Sequence, residues 1–130
     1  MGTLNEHHVE GRFRPALSEV ARARRWTANA LLTWQMAGEV PDIELVVSEM
    51  LAQAVRRGSP EIEVRLRATG EVVRIEVHEA AFPTAEAGPL WFVSDVAAAW
   101  GRDPARGRTV TWAYCRRSAG AGAGTGVDVA

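Results

Sequence analysis

Glu44-Leu45-Val46-Val47-Ser48-Glu49-Met50-Leu51-Ala52-Gln53-Ala54-Val55-Arg56-Arg57-Gly58 is the stretch that decides how this chain is read. With Ile43, its apolar residues Val46, Val47, Met50, Leu51, Ala54 and Val55 recur at the three- and four-residue spacing of one buried helical face. Pro41 suits the first turn, where its missing N–H has no helical partner to lose. Asp42 sets negative charge at the positive end of the helix dipole. Gly58 and Pro60 end the helix. Glu49, Gln53 and Arg57 lie four apart and form a polar row along the edge of the apolar stripe. Such a row is either a solvated flank with modest charge pairing or one wall of a site.

The totals bound the alternatives. A chain of 130 residues, 47% hydrophobic and 24% charged, suits one globular domain with a real core. A net charge of −1 recruits neither nucleic acid nor an anionic membrane surface. All 15 basic residues are arginine, which excludes a Schiff-base lysine and a P-loop lysine. That arginine use, with the abundance of alanine, is typical of high-GC bacterial genomes. Cys115 is the single cysteine, so an internal disulfide and a cysteine zinc cluster are excluded, and its strand-like surroundings make it a small core residue. His7 and His8 have no partners at metal-ligand spacing. The N-terminus, with Glu6 and Glu10 and no apolar run, does not read as a signal peptide. No segment approaches a membrane span, and the expected location is the cytoplasm.

Read outward from the central helix, the chain alternates between two periods. Residues 1–7 are expected to be disordered, and His8 to Arg14 to form a short edge strand stopped by Pro15. Ser18 is a plausible cap for a helix to about Met36, with Leu17, Val20, Ala21, Ala28, Leu31 and Leu32 on its apolar face and Arg22, Arg24 and Arg25 on its solvated side. Residues 61–67 and 73–77 alternate strictly and predict two half-buried antiparallel strands joined by a turn at Thr69-Gly70. A connection over 82–89 leads to a third helix from Leu90 to Trp100, closed by Gly101. Thr109 to Arg116 is the last strand, with Val110, Trp112 and Tyr114 on one face, and 118–130 is a flexible Gly/Ala-rich tail. The predicted class is α+β: a two-layer α/β sandwich, a mostly antiparallel sheet with helices on one face.

That element order and the central helix resemble the histidine-kinase-like ATPase superfamily (the Bergerat fold), and within it the anti-sigma regulatory factors, which are small bacterial serine-protein kinases. The resemblance spans roughly residues 9–116, inside an expected domain of 8–117. The family's helix reads Glu-Leu-Val-x-Ser-Glu, a short spacer, then Asn-Ala-x-x-His-Gly. Here it is Glu44-Leu45-Val46-Val47-Ser48-Glu49, then Gln53-Ala54-Val55-Arg56-Arg57-Gly58. The resemblance makes Glu49 the candidate catalytic base, since a base must be a carboxylate held near the hydroxyl it activates. It makes Gln53 the candidate Mg²⁺ ligand, one methylene longer than the family's asparagine, although Mg²⁺ demands near-ideal geometry at about 2.1 Å. Glu79 matches the aspartate that accepts the adenine amino group, with Ala81 beside it admitting the ring. Gly88 and Leu90 match the phosphate turn, where the family's Gly-x-Gly-Leu has become Ala87-Gly88-Pro89-Leu90 and Pro89 removes one backbone donor. Thr109 completes the vestigial nucleotide site, and the 82–87 stretch is short beside the family's ATP lid.

Core-serving residues match the family, while metal, adenine and phosphate positions have changed together. Each poorly met polar contact costs about 1–3 kcal/mol. The expected function is therefore a bacterial regulatory protein resembling an anti-sigma factor: a pseudo-kinase that binds a protein partner, such as a sigma factor or an anti-sigma antagonist, with no cofactor. Its partner surface is expected on the first helix and edge strand, using Trp26 and Trp34 unless these pack into the core. The alternative is an active ATP- and Mg-dependent anti-sigma serine-protein kinase. The oligomeric state is open, a homodimer included.

Overall fold

Strict alternation of apolar and charged residues builds one sheet, and two amphipathic helices cover it. A computed structural model describes residues 6–80, 89–105 and 107–118. In chain order the elements are β1 (His7–Phe13), α1 (Glu19–Thr33), a single 3-10 turn at Ala37–Glu39, α2 (Val40–Arg56), β2 (Ile62–Ala68), β3 (Val72–Glu79), α3 (Trp91–Val96), β4 (Ala99–Ala105) and β5 (Arg108–Arg116). The strands run in the order β1-β2-β3-β5-β4, and every neighbouring pair is antiparallel. The molecule is α+β, with its helices on one side of this sheet, as the sequence predicts.

The core lies between α2 and the inner sheet face. Ile43, Val46, Val47, Met50, Leu51 and Ala54 of α2 are buried, the face read from its spacing. They meet Val64 and Leu66 of β2, Val73, Ile75 and Val77 of β3, and Ala113 and Cys115 of β5. Burying each such aliphatic side chain contributes about 1.5–3 kcal/mol. Gly58, at φ 82°, takes the left-handed conformation that closes α2, and Ser59 N–H reaches back to Ala54 O at 3.3 Å. Among the described residues no helix is long and apolar enough to cross a membrane.

Three sequence expectations need correction. The first helix ends at Thr33, short of Met36, because Gln35 adopts φ 60° and Met36 N–H bonds Leu31 O at 2.8 Å, a closing turn of the Schellman type. Its buried residues are Glu19, Ala23, Thr27 and Leu31, while Leu17 and Leu32 are exposed and Ala21 faces solvent. The rotation follows from polar anchors that periodicity does not register. Glu19 accepts from Arg14 N–H, and Arg22 donates to both Glu19 and Arg12 O, which turns the face of small residues inward. Thr27 satisfies its buried hydroxyl on Ala23 O at 2.8 Å.

The largest difference concerns the expected helix from Leu90 to Trp100. It stops at Val96. Ala97 turns to extended backbone, Ala98 N–H bonds Tyr114 O at 2.7 Å, and Ala99–Ala105 becomes an edge strand that Gly101 and Trp100 help to build. Helix propensity in the alanine run yields to pairing along β5, whose backbone groups would otherwise stand unpaired. Gly101 is needed there, since a Cβ at this position would lie 2.7 Å from the Trp112 ring. Smaller differences are a β1 that starts at His7, inside the stretch expected to be disordered, and a β5 that starts at Arg108. The expected disorder of residues 1–5 and 119–130 lies outside the described residues.

Candidate functional site

Every member of the polar row on α2 is bonded to another element, so the row is a seam and not a solvated flank. Glu49 faces the start of α3. Its Oε2 accepts Phe92 N–H at 3.1 Å and its Oε1 accepts Val93 N–H at 2.6 Å. The N-terminal N–H groups of a helix have no partner within it, and α3 has no side-chain cap of its own, so a carboxylate from α2 supplies one. Gln53 lies one turn further along. Its Nε2 reaches Pro89 O at 3.4 Å, and its Oε1 accepts a hydrogen bond from Arg102 Nη2, which arrives from β4. Burial, and then the neighbouring Arg57 charge, lower the Arg102 guanidinium from its ordinary pKa, while Glu79 acts the other way.

Arg57, where the family resemblance expects histidine, completes the row. Its Nη1 stands 3.6 Å from Glu79 Oε2, and the two side chains are 8% and 1% exposed. Ser59 Oγ donates to Glu79 Oε1. Both Glu79 oxygens are thus engaged within the protein, while Arg57 Nε is buried with no hydrogen-bond partner among the described residues. Glu79 reaches this position because β3 alternates strictly, placing it on the inner face with Val77 and Ile75, opposite Thr109 of β5.

The structure therefore gathers Glu49, Gln53 and Glu79 on the helix-covered face at the α2–α3–β4 junction, with Leu90 buried as the residue before α3 and Thr109 half-buried beside Glu79. Ala81 and Gly88 lie outside the described residues. His78 points to the opposite face, where Nε2 meets Glu76 Oε1 at 2.7 Å. An adenine amino group would have to displace Ser59 or Arg57 to reach Glu79. A dication at Gln53 Oε1 would meet a guanidinium already in hydrogen-bond contact with that oxygen.

Arg102, Ser59 and the exposed aromatics of α3 are not marked by the sequence pattern. Arg102 lies just past the expected third helix, and nothing local marks it as a partner of a residue 49 positions earlier. Trp91 and Phe92 lie inside the expected third helix, and they are 71% and 53% exposed. For the aromatics, helix geometry is the signal. Adjacent helical residues point about 100° apart, so with Val93 facing the core the two aromatics before it turn outward. Conversely, Trp26 and Trp34 are partly buried against the core. Trp26 meets the Phe13 ring edge-on at 5.4 Å, and Trp34 stacks on His7 at 5.2 Å.

No protein-family model matches the sequence, and no curated protein matches it either. In fold, the chain is similar to the crystal structure of the RsbU and RsbW domains of Rv1364c from Mycobacterium tuberculosis, with a TM-score of 0.70 and 16% sequence identity. The match covers 85% of this chain and 32% of that one. At that identity the similarity is one of fold alone.

Proposed function

We propose that this chain is a regulatory protein of the anti-sigma type, which acts by holding a protein partner and whose nucleotide site is weakened or lost. The observation that carries the reading is the bonding of the nucleotide-matching residues to one another: Glu79 to Arg57 and Ser59, and Gln53 to Arg102. The residues present do not fit Mg-ATP. Two guanidiniums repel a dication, the adenine acceptor is taken, and Glu49 serves as a helix cap. The fold shared with the RsbU and RsbW domain structure and the Glu-Leu-Val-x-Ser-Glu run support the regulatory part of the reading. The partner is a protein, such as a sigma factor or an anti-sigma antagonist, and the site of action is the cytoplasm. Trp91 and Phe92 are the anchors for it, since exposed aromatics of this size are typical of interface hot spots.

Titration with Mg-ATP and Mg-ADP, read by calorimetry and tryptophan fluorescence, tests the proposal. No saturable binding is expected at nucleotide concentrations of about 1 mM, and no thermal stabilisation, because a ligand that binds only the folded state must raise stability. Saturable micromolar binding would overturn it. The alternative would then be an active Mg-dependent kinase, with Glu49 as base and Gln53 as metal ligand. Replacing Trp91 and Phe92 with serine is expected to weaken capture of a sigma factor or antagonist at least about tenfold without lowering stability.

A further inference from the structure

The uncovered face of the sheet holds a cavity that the seam does not use. Its volume is about 310 Å³, at the small end of the range for small-molecule sites. Strand register explains its chemistry. One row across the sheet places Arg12 opposite Glu63, and Glu63 opposite His78. Just beyond the ends of β2 and β3, Ala80 N–H bonds Glu61 O at 3.2 Å, and Arg108 opens β5 nearby. Pro15 and Pro60 add apolar wall.

We propose that this cavity binds a small organic monocarboxylate with an apolar body, its head group held by Arg108 or Arg12. These two side chains line the cavity, are exposed, and form no hydrogen bond or ion pair among the described residues. A guanidinium with no partner among the described residues can pair with a planar carboxylate through parallel N–H···O bonds. Glu61 and Glu63 also line the cavity, and Glu63 is held by Arg65 at 3.4 Å. Two carboxylates in the lining oppose a phosphate or any polyanion and admit a single negative charge. Ala80 leaves the space for the ligand body, and the His78 ring, locked by Glu76, forms a rigid wall of that space. The site is independent of the partner-binding reading, since neither Glu79 nor Gln53, nor Trp91 or Phe92, lines it.

The test uses the full chain, isotope-labelled, titrated with phenylacetate and with its neutral isostere phenylacetamide while amide chemical shifts are followed. Phenylacetate is expected to give saturable shifts at Glu61, Ala80 and Arg108. Its affinity should exceed that of phenylacetamide by at least about tenfold, since a hydrogen-bonded charge pair contributes more than about 1.4 kcal/mol. Arg108→Gln and Arg12→Gln together should abolish that preference. Ala80→Leu should abolish binding of both probes while leaving the thermal midpoint and the shifts of α2 unchanged. Absence of saturable shifts at about 20 mM would overturn the proposal. So would equal affinity for the two probes, retained binding in Ala80→Leu, or shifts centred on Trp91 and Phe92.

Discussion

At the level of single residues, Arg57 and Glu79 carry the consequence that matters most. A buried ion pair adds little net stability over a well-packed apolar pair, but breaking it leaves a charge stranded without water. Arg57→Met should therefore destabilise the protein by about 3 kcal/mol, read from urea midpoints with the slope of the transition held in view. Arg57→Met combined with Glu79→Met should recover most of that loss, so the two substitutions are expected to be strongly non-additive. Additive losses would mean that the pair is not an energetic unit. Arg102 joins the same group through Gln53, so an arginine from β4 lies against α2 where a metal ion would otherwise need open oxygen ligands.

At the level of elements, α3 and the β1–α1 corner depend on charged groups supplied from elsewhere. Six residues are too few for a helix to persist alone, so α3 relies on packing and on Glu49. Glu49→Ala should speed hydrogen exchange at the Phe92 and Val93 amides by about tenfold, corresponding to a cap worth about 1.4 kcal/mol. Glu49→Gln, which keeps one acceptor oxygen, should fall between the two. Unchanged exchange would remove the capping role and reopen the question of what holds α3. At the other corner, Arg22, then Arg14 N–H, lower the Glu19 pKa from 4.5 to about 2. The sign follows from linkage. A carboxyl depressed in the folded state stabilises fully above its ordinary value, and that contribution is lost as pH falls from 4.5 toward about 2. Urea midpoints across that window should fall with acidification in the native chain, and less steeply in Glu19→Gln. Parallel pH profiles would exclude Glu19 as a contributor.

At the level of the whole molecule, access to Cys115 reports on global opening. Burial, then the charges of Asp42 and Glu39, raise the Cys115 thiol to about 11, so it is both covered and protonated at neutral pH. Labelling by a thiol-specific disulfide reagent should proceed at the rate of global unfolding and accelerate in urea in step with loss of tryptophan signal. Rapid labelling in the absence of denaturant would show that β5 opens locally.

Much of this architecture was legible in the sequence, for reasons that differ along the chain. The apolar spacing of α2 and the alternation of β2 and β3 are short-range patterns, each set by one geometric period and confirmed by which residues are buried. Glu49, Gln53 and Arg57 were visible as an aligned row for the same reason. The sequence by itself thus determined the class of fold, the buried face of the central helix and the polar edge along it. Only the tertiary structure decided the conversion of the Ala99–Ala105 stretch to a strand, the rotation of α1 about Glu19 and Arg22, and the meeting of Arg102 with Gln53. Those outcomes depend on hydrogen-bonding groups that must be satisfied across long separations in the chain, and no local periodicity encodes which distant partner will satisfy them.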